Sequence, residues 1–362
     1  MKVLLAIFLF IISDFSKAAI NFEDAAYPEL ITSGRALAMG NAFTSKVDDH
    51  HSVFYNPAGL GTFRKWHFHF ANFHIESNKD LLKMSGGGKI TSAASNITKA
   101  YSLDGVRELL LENRGKLSHA RLNFFPNITT RYFSMGYMYS YQQRATIGGG
   151  DDAKFEYARR EDQGPVVSMN ASLFGGIIKF GASAIYLARK EAIGEANKDT
   201  KIELQGSDFS KGRMFYLVAG TRLTLPWEFL PTFSATIHNA SNSNFSPTAG
   251  GPQRIRQNSV FGFSITPQIG RSMRVHLEAN YKDASDKYGV DATRRLGLGM
   301  EIDFARTFFM RLGYGDGYGS GGIGIKSRKL EVDVTTYAVD TTTSGFRGKE
   351  DRRFVLSISR GF

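Results

Sequence analysis

The sequence predicts an all-β fold, a transmembrane antiparallel β-barrel of about 14 strands preceded by a small N-terminal helical element. Three observations carry this reading. Strand after strand alternates apolar and polar side chains. No stretch approaches the ~20 apolar residues that a membrane-spanning helix needs. A block with helical periodicity precedes the first alternating segment.

The alternation is clearest near the C-terminus. Leu296, Leu298, Met300, Ile302 and Phe304 share one face, and Arg295, Gly297, Gly299, Glu301 and Asp303 share the other. Met273, Val275, Leu277, Ala279 and Tyr281 stand against Arg274, His276, Glu278, Asn280 and Lys282, and Phe308, Met310 and Leu312 against Phe309, Arg311 and Gly313. Period two means strands with two solvents. In a bilayer every backbone N–H and C=O must be paired, so such a sheet has to close. The polar face, represented by Arg274, His276, Glu278, Arg295, Glu301, Asp303 and Arg311, is then the candidate lumen lining.

In chain order, Lys2, the apolar run from Val3 to Ile12, and Ser16-Lys17-Ala18 read as a secretory signal, residues 1–18. Residues 19–61 do not alternate: Ala36, Leu37, Met39, Ala42, Phe43 and Val47 recur at spacings of three and four, a short amphipathic helix broken by Gly34 and Gly40. A small helical element therefore precedes the sheet. The barrel is expected over 62–362, its first strand over 63–75 with Trp66, Phe68 and Phe70 on one face. A long extracellular loop follows near 76–116, with a Gly86-Gly87-Gly88 break and a helical segment from Leu103 to Asn113. Further strands are expected near 118–126, 130–144, 153–174 with a bend at Gly164 and Pro165, 176–190, 211–225, 231–239, 254–267, 271–283, 293–304, 306–314, 319–327, 329–339 and 351–362.

The chain has 362 residues, a formal net charge of +11 and no cysteine, so neither disulfides nor thiolate chemistry are available. Lys and Arg are scattered over loops and strand ends rather than gathered on one helix, which argues against nucleic acid as a partner. Outer-membrane lipid and lipopolysaccharide are the expected contacts of the exterior. The final strand, Phe354, Leu356, Ile358, Arg360 and Phe362 on one face, resembles the C-terminal signal read by the barrel-assembly machinery, a further expected partner.

No catalytic constellation emerges. Gly317 to Gly322 matches GxGxxG, but Ile323 to Lys326 continue as a strand, so no helix N-terminus is there to hold a phosphate. A nucleophile elbow of the GxSxG kind is absent. His67 with His69, and His50-His51 beside Asp48-Asp49, are candidate metal ligands, yet neither spacing supplies a full set. The expectation is no enzyme, no cofactor and no metal.

The most specific local feature runs from Gly34 to Gly61. It combines Gly34, Arg35, Ala36 and Gly40, then Asp48 and Asp49, then Tyr55, Asn56, Pro57, Ala58, Gly59 and Leu60. This block resembles the N-terminal region of the FadL-type outer-membrane transporter superfamily, including its PorV-like branch. The resemblance implies a multi-pass protein of the bacterial outer membrane whose hatch folds back into the lumen. It implies passive uptake of hydrophobic small molecules such as long-chain fatty acids past Gly34, Arg35, Gly40, Asp48, Asp49, Tyr55, Asn56, Pro57, Ala58 and Gly59. A PorV-like surface or secretion-associated barrel, or a structural or adhesive one, is the alternative, and the charged lumen face suits it.

Overall fold

The computed structural model describes Ile20 and residues 30–86, 99–341 and 347–361. The signal segment 1–18, the start of the hatch at 21–29, Gly87-Gly88 and Phe362 lie outside the described residues.

One antiparallel sheet closes into a barrel through β1 (His67–Asn78) and β16 (Glu350–Gly361). Two places in the wall are shared by short strands. Both β2 (Leu117–Phe124) and β3 (Asn127–Thr129) lie between β1 and β4 (Phe133–Ile147), and both β9 (Asn258–Ile265) and β10 (Gln268–Ile269) pair with β11 (Met273–Tyr281). Sixteen strands therefore make fourteen staves. The others are β5 (Phe155–Leu173), β6 (Ile178–Ala196), β7 (Ser210–Thr224), β8 (Thr232–His238), β12 (Leu296–Phe304), β13 (Phe308–Gly315), β14 (Tyr318–Lys326) and β15 (Leu330–Asp340).

Where the structure departs from the sequence reading, turn chemistry is the reason. The expected strand at 118–126 breaks at Phe125-Pro126, because proline has no N–H for the ladder, and resumes as β3. The first strand begins at His67 rather than 63, since Pro57–Thr62 are wound into a 3₁₀ turn. A bulge between His69 and Ala71 shifts its phase, so Phe68 and Phe70 face outward before it and Phe73 and Ile75 after it. The GxGxxG match is a hairpin: Asp316 and Gly317 both have positive φ between β13 and β14.

The two rims differ. Tight connections at 174–177, 305–307 and 327–329 form one end, and 79–116, 197–209, 239–257 and 282–295 form the other. Around the outside, Met135, Tyr137, Met169, Phe215, Phe261, Leu312, Ile323 and Val334 are exposed. A belt of this extent needs lipid against it.

Two of the long connections are folded elements. In the first, helices at Lys79–Gly86 and Leu103–Leu111 pack Leu81, Val106 and Leu110 on Ala120, Ala145, Ile147 and Phe155, on the outer surface near the long-loop rim. The second, 239–257, turns Phe245 and Ile255 inward onto Met214. Its Gln253 N–H donates to Glu191 of β6 at 2.9 Å. That rim of the lumen is thereby roofed.

Candidate functional site

The lumen is filled by the hatch, residues 30–63, built from α1 (Gly34–Ala38), α2 (Ser52–Tyr55) and the 3₁₀ turn Pro57–Thr62. Ser33 caps α1, its side chain accepting from Ala36 N. Asn56 caps the 3₁₀ turn, with Oδ1 accepting from Ala58 N at 3.1 Å and Nδ2 donating to Thr44 O and to Thr221 O of β7. Tyr55 donates to Asn41 and accepts from Ser33 N, closing α2 back on α1. These short elements do not stand by propensity; the wall holds them.

On one side the wall is charged. Arg35 donates twice to Glu301 of β12, both at 2.7 Å, and to Asp48 at 2.7 Å, with Asp49 3.6 Å away. Arg311 of β13 bonds the same Glu301 at 2.7 Å and pairs with Asp333 of β15. Glu278 of β11 accepts from Ser45 N and Lys46 N at 2.7 and 2.9 Å, and His276 Nε2 lies 3.0 Å from its carboxylate. Burial works against a charged Arg35, but Asp48 and Glu301 outweigh it and hold its pKa well above the ordinary value. Burial likewise opposes an ionised Asp48, and Arg35 with Lys46 overrides it, keeping that carboxyl well below the usual range.

Small residues let the two backbones meet on this same side. Gly40, at φ +63, sits on Tyr314, and a Cβ added at Gly313 would lie 2.0 Å from Gly40 N. Gly34 O accepts from Thr335 at 2.9 Å, and a Cβ at Gly34 would lie 3.4 Å from that of Ser357. Elsewhere Pro57 and Ala58 rest on Gly181 of β6, and Gly59 on Val47 O. Polar residues Arg274 and Asp303 pair with each other at 2.8 Å, without reaching the hatch. Arg295 is a correction to the lumen face: a short helix, Ala292–Arg295, delays the strand to Leu296, and the Arg295 guanidinium bonds Val290 O and Asp283 O in the loop instead.

The opposite side is apolar at the level of the hatch; nearer the long-loop rim β5 and β6 carry the buried pairs Arg160–Glu191 and Arg189–Asp162. Met138, Val166, Ile185, Leu187, Met214, Tyr216 and Val218 of β4 to β7 face inward and pack on Val53, Phe54, Tyr55 and Leu60 of the hatch. Phe54 and Phe125 meet edge to face, ring centres 4.9 Å apart. Beside this stripe the β5–β6 ladder is interrupted: Gln163 pairs with Ala188 and Val166 with Ile185, while Gly164 and Pro165 are unpaired toward β6. Met138, paired with Gly164, borders the gap.

Neither a family model nor a curated protein matches the chain. Solved structures do. The monoaromatic hydrocarbon channel CymD aligns over 92% of this chain and 98% of its own at TM-score 0.53 and 10% identity. The chain has the CymD fold. The Ralstonia pickettii toluene transporter TbuX aligns over 92% and 99% at TM-score 0.48 and 10% identity. A Pseudomonas aeruginosa FadL homologue aligns over 95% and 99% at TM-score 0.44 and 13% identity.

Within this CymD-like barrel, the sequence reading had singled out the charged wall and missed the apolar one. A signal existed. From Met214 to Ala219 every residue is apolar, so the strand lacks alternation, as expected where both faces meet apolar surroundings.

Proposed function

We propose that the chain is an outer-membrane channel for passive uptake of hydrophobic small molecules. The observation that carries this is the apolar stripe from Met214 to Met138, roofed by Phe245 and Ile255, floored by the hatch and bordering the break in ladder pairing at Gly164-Pro165, where Gly164 lies against Tyr186 of β6. An apolar solute entering under the 239–257 loop first passes the paired charges Arg189–Asp162 and Arg160–Glu191, and then meets apolar side chains as far as the wall. There the unpaired segment of β5 offers a sideways exit into lipid. The charged side binds the hatch and is not the path.

This reading answers the polar lumen face: Glu301 and Glu278 hold the hatch rather than line a pore. The name of CymD, a monoaromatic hydrocarbon channel, supports the substrate class. The short-turn rim is then periplasmic, and the long loops face outward.

The test is uptake of radiolabelled toluene and of a long-chain fatty acid by cells carrying the wild-type barrel, Asn56→Ala, Leu187→Asp, or a deletion of the hatch. A charge at Leu187 is expected to abolish uptake of the transported solute, and loss of the Asn56 cap to change its rate. Uptake indifferent to all three changes would overturn the proposal.

A further inference from the structure

The short-turn mouth holds a second constellation that takes no part in the passage just described. Asp49, His50 and His51 present ligand atoms that all lie within 4.8 Å of one another. The His50 ring lies between two others, 4.1 Å from His51 and 4.5 Å from His69 of β1, centre to centre. Asp49, His50 and His69 border one cavity of about 270 Å³, which Lys326 and Glu331 also line. The hatch and the first strand, distant in sequence, supply this cluster together.

Two of its nitrogens are poorly served by protein. His69 Nδ1 is buried with no hydrogen-bond partner. His51 Nδ1 is buried 3.3 Å from Asp49 Oδ1 without hydrogen-bond alignment. Leaving a buried polar atom unsatisfied costs about 1–3 kcal/mol, so such atoms call for an explanation.

We propose that Asp49, His50, His51 and His69 form a binding site for a divalent transition-metal ion that ties the hatch to the first strand. Three imidazoles and one carboxylate suit Zn²⁺, Cu²⁺ or Ni²⁺; Ca²⁺ and Mg²⁺ take oxygen ligands. Tetrahedral zinc with bonds of about 2.0–2.1 Å sets its ligands roughly 3.4 Å apart, so side-chain rotation must draw Asp49, His50 and His51 together by up to about 1.4 Å and swing His69 in beside His50. Neighbours hold two ligands in place: the Asn72 amide bonds His50 Nε2, which leaves Nδ1 as the atom that His50 offers, and Arg35 sits 3.6 Å from Asp49. Four cationic residues border the same cavity, Arg64, Lys326, Arg328 and Lys329, and of these Lys326 is engaged by Glu331 at 2.7 Å. The site stands independently of what the barrel transports.

The test is Co²⁺ absorption and Zn²⁺ calorimetry on the full chain in detergent, stripped with chelator. One ion per chain with the visible bands of low-coordinate cobalt is expected. His51→Ala and, as a milder change, His69→Gln should each weaken Zn²⁺ about tenfold or more, while His238→Gln leaves it unchanged. Retention of the barrel is checked by its heat-dependent shift on gels. Absence of saturable binding to the wild type overturns the proposal, and so does equal affinity in His51→Ala and His69→Gln, or equal loss in His238→Gln.

Discussion

At the scale of single residues, Glu301 is where the hatch is most firmly held, because it neutralises Arg35 and Arg311 at once. Removing one partner of a buried pair strands the others, at a cost of about 3–5 kcal/mol. Glu301→Gln should therefore lower the melting temperature clearly, whereas Arg274→Ala, whose pair with Asp303 is partly open to water, should change it little. Circular dichroism melts compare the two. Asp48 adds a pH dependence with a definite sign. Its folded-state pKa lies below the unfolded value of about 3.9, so its stabilisation is complete above that value and is lost as pH falls through it. The gap in stability between wild type and Asp48→Asn should be constant from about pH 8 to pH 5 and shrink below about pH 4; a gap that grows on acidification would contradict the assignment.

At the scale of elements, the glycines of β12 and β13 and the gap in β5 divide the wall by role. Gly313 leaves room for Gly40 against the strand, and a Cβ there would overlap the hatch backbone. Gly313→Leu should push the hatch off its seat and raise ion conductance in planar bilayers, while the barrel itself remains. Restoring an N–H at Pro165 should mend the ladder, so Pro165→Val is expected to slow hydrophobic uptake without changing conductance. How much of this was legible depends on what each strand faces. β11 and β12 were readable because their two faces meet different surroundings, lipid and charge. The irregularity at Gly164-Pro165, expected as a bend and found as a break in the pairing with β6, was readable because proline has no N–H to donate. β7 showed as a strand, but its inward residues could not be told from its outward ones, since Met214, Tyr216 and Val218 are as apolar as Phe215, Leu217 and Ala219. Glu76 was read as the start of a loop, although β1 runs on to Asn78; His119 and Arg353 reach it from strands far away in sequence, a meeting no local pattern announces.

At the scale of the whole molecule, the hatch is bound by two kinds of force on two sides. An ion pair and charge-assisted hydrogen bonds fix it to β11 to β15, whereas on β4 to β7 it is seated mainly by apolar packing, with a few hydrogen bonds such as Asn56 to Thr221 O and Arg222 to Val47 O. Apolar packing can slide or part for an apolar guest, which replaces the contacts it displaces; a buried ion pair cannot do so without stranding charge. The hatch is thus expected to hinge at its charged side and yield at its apolar one. The chain has no cysteine, so engineered pairs are clean probes. Gly34→Cys with Ser357→Cys has the spacing of a disulfide and locks the charged side. Phe54→Cys with Phe125→Cys, joined by a short bifunctional thiol reagent, locks the apolar side. Hydrophobic uptake measured in both doubly substituted barrels, before and after linking and again after reduction, tests the central claim most directly. The account predicts that the 34–357 link leaves uptake intact and that the 54–125 link abolishes it reversibly; uptake that survives the 54–125 link, or that fails with the 34–357 link, would contradict it.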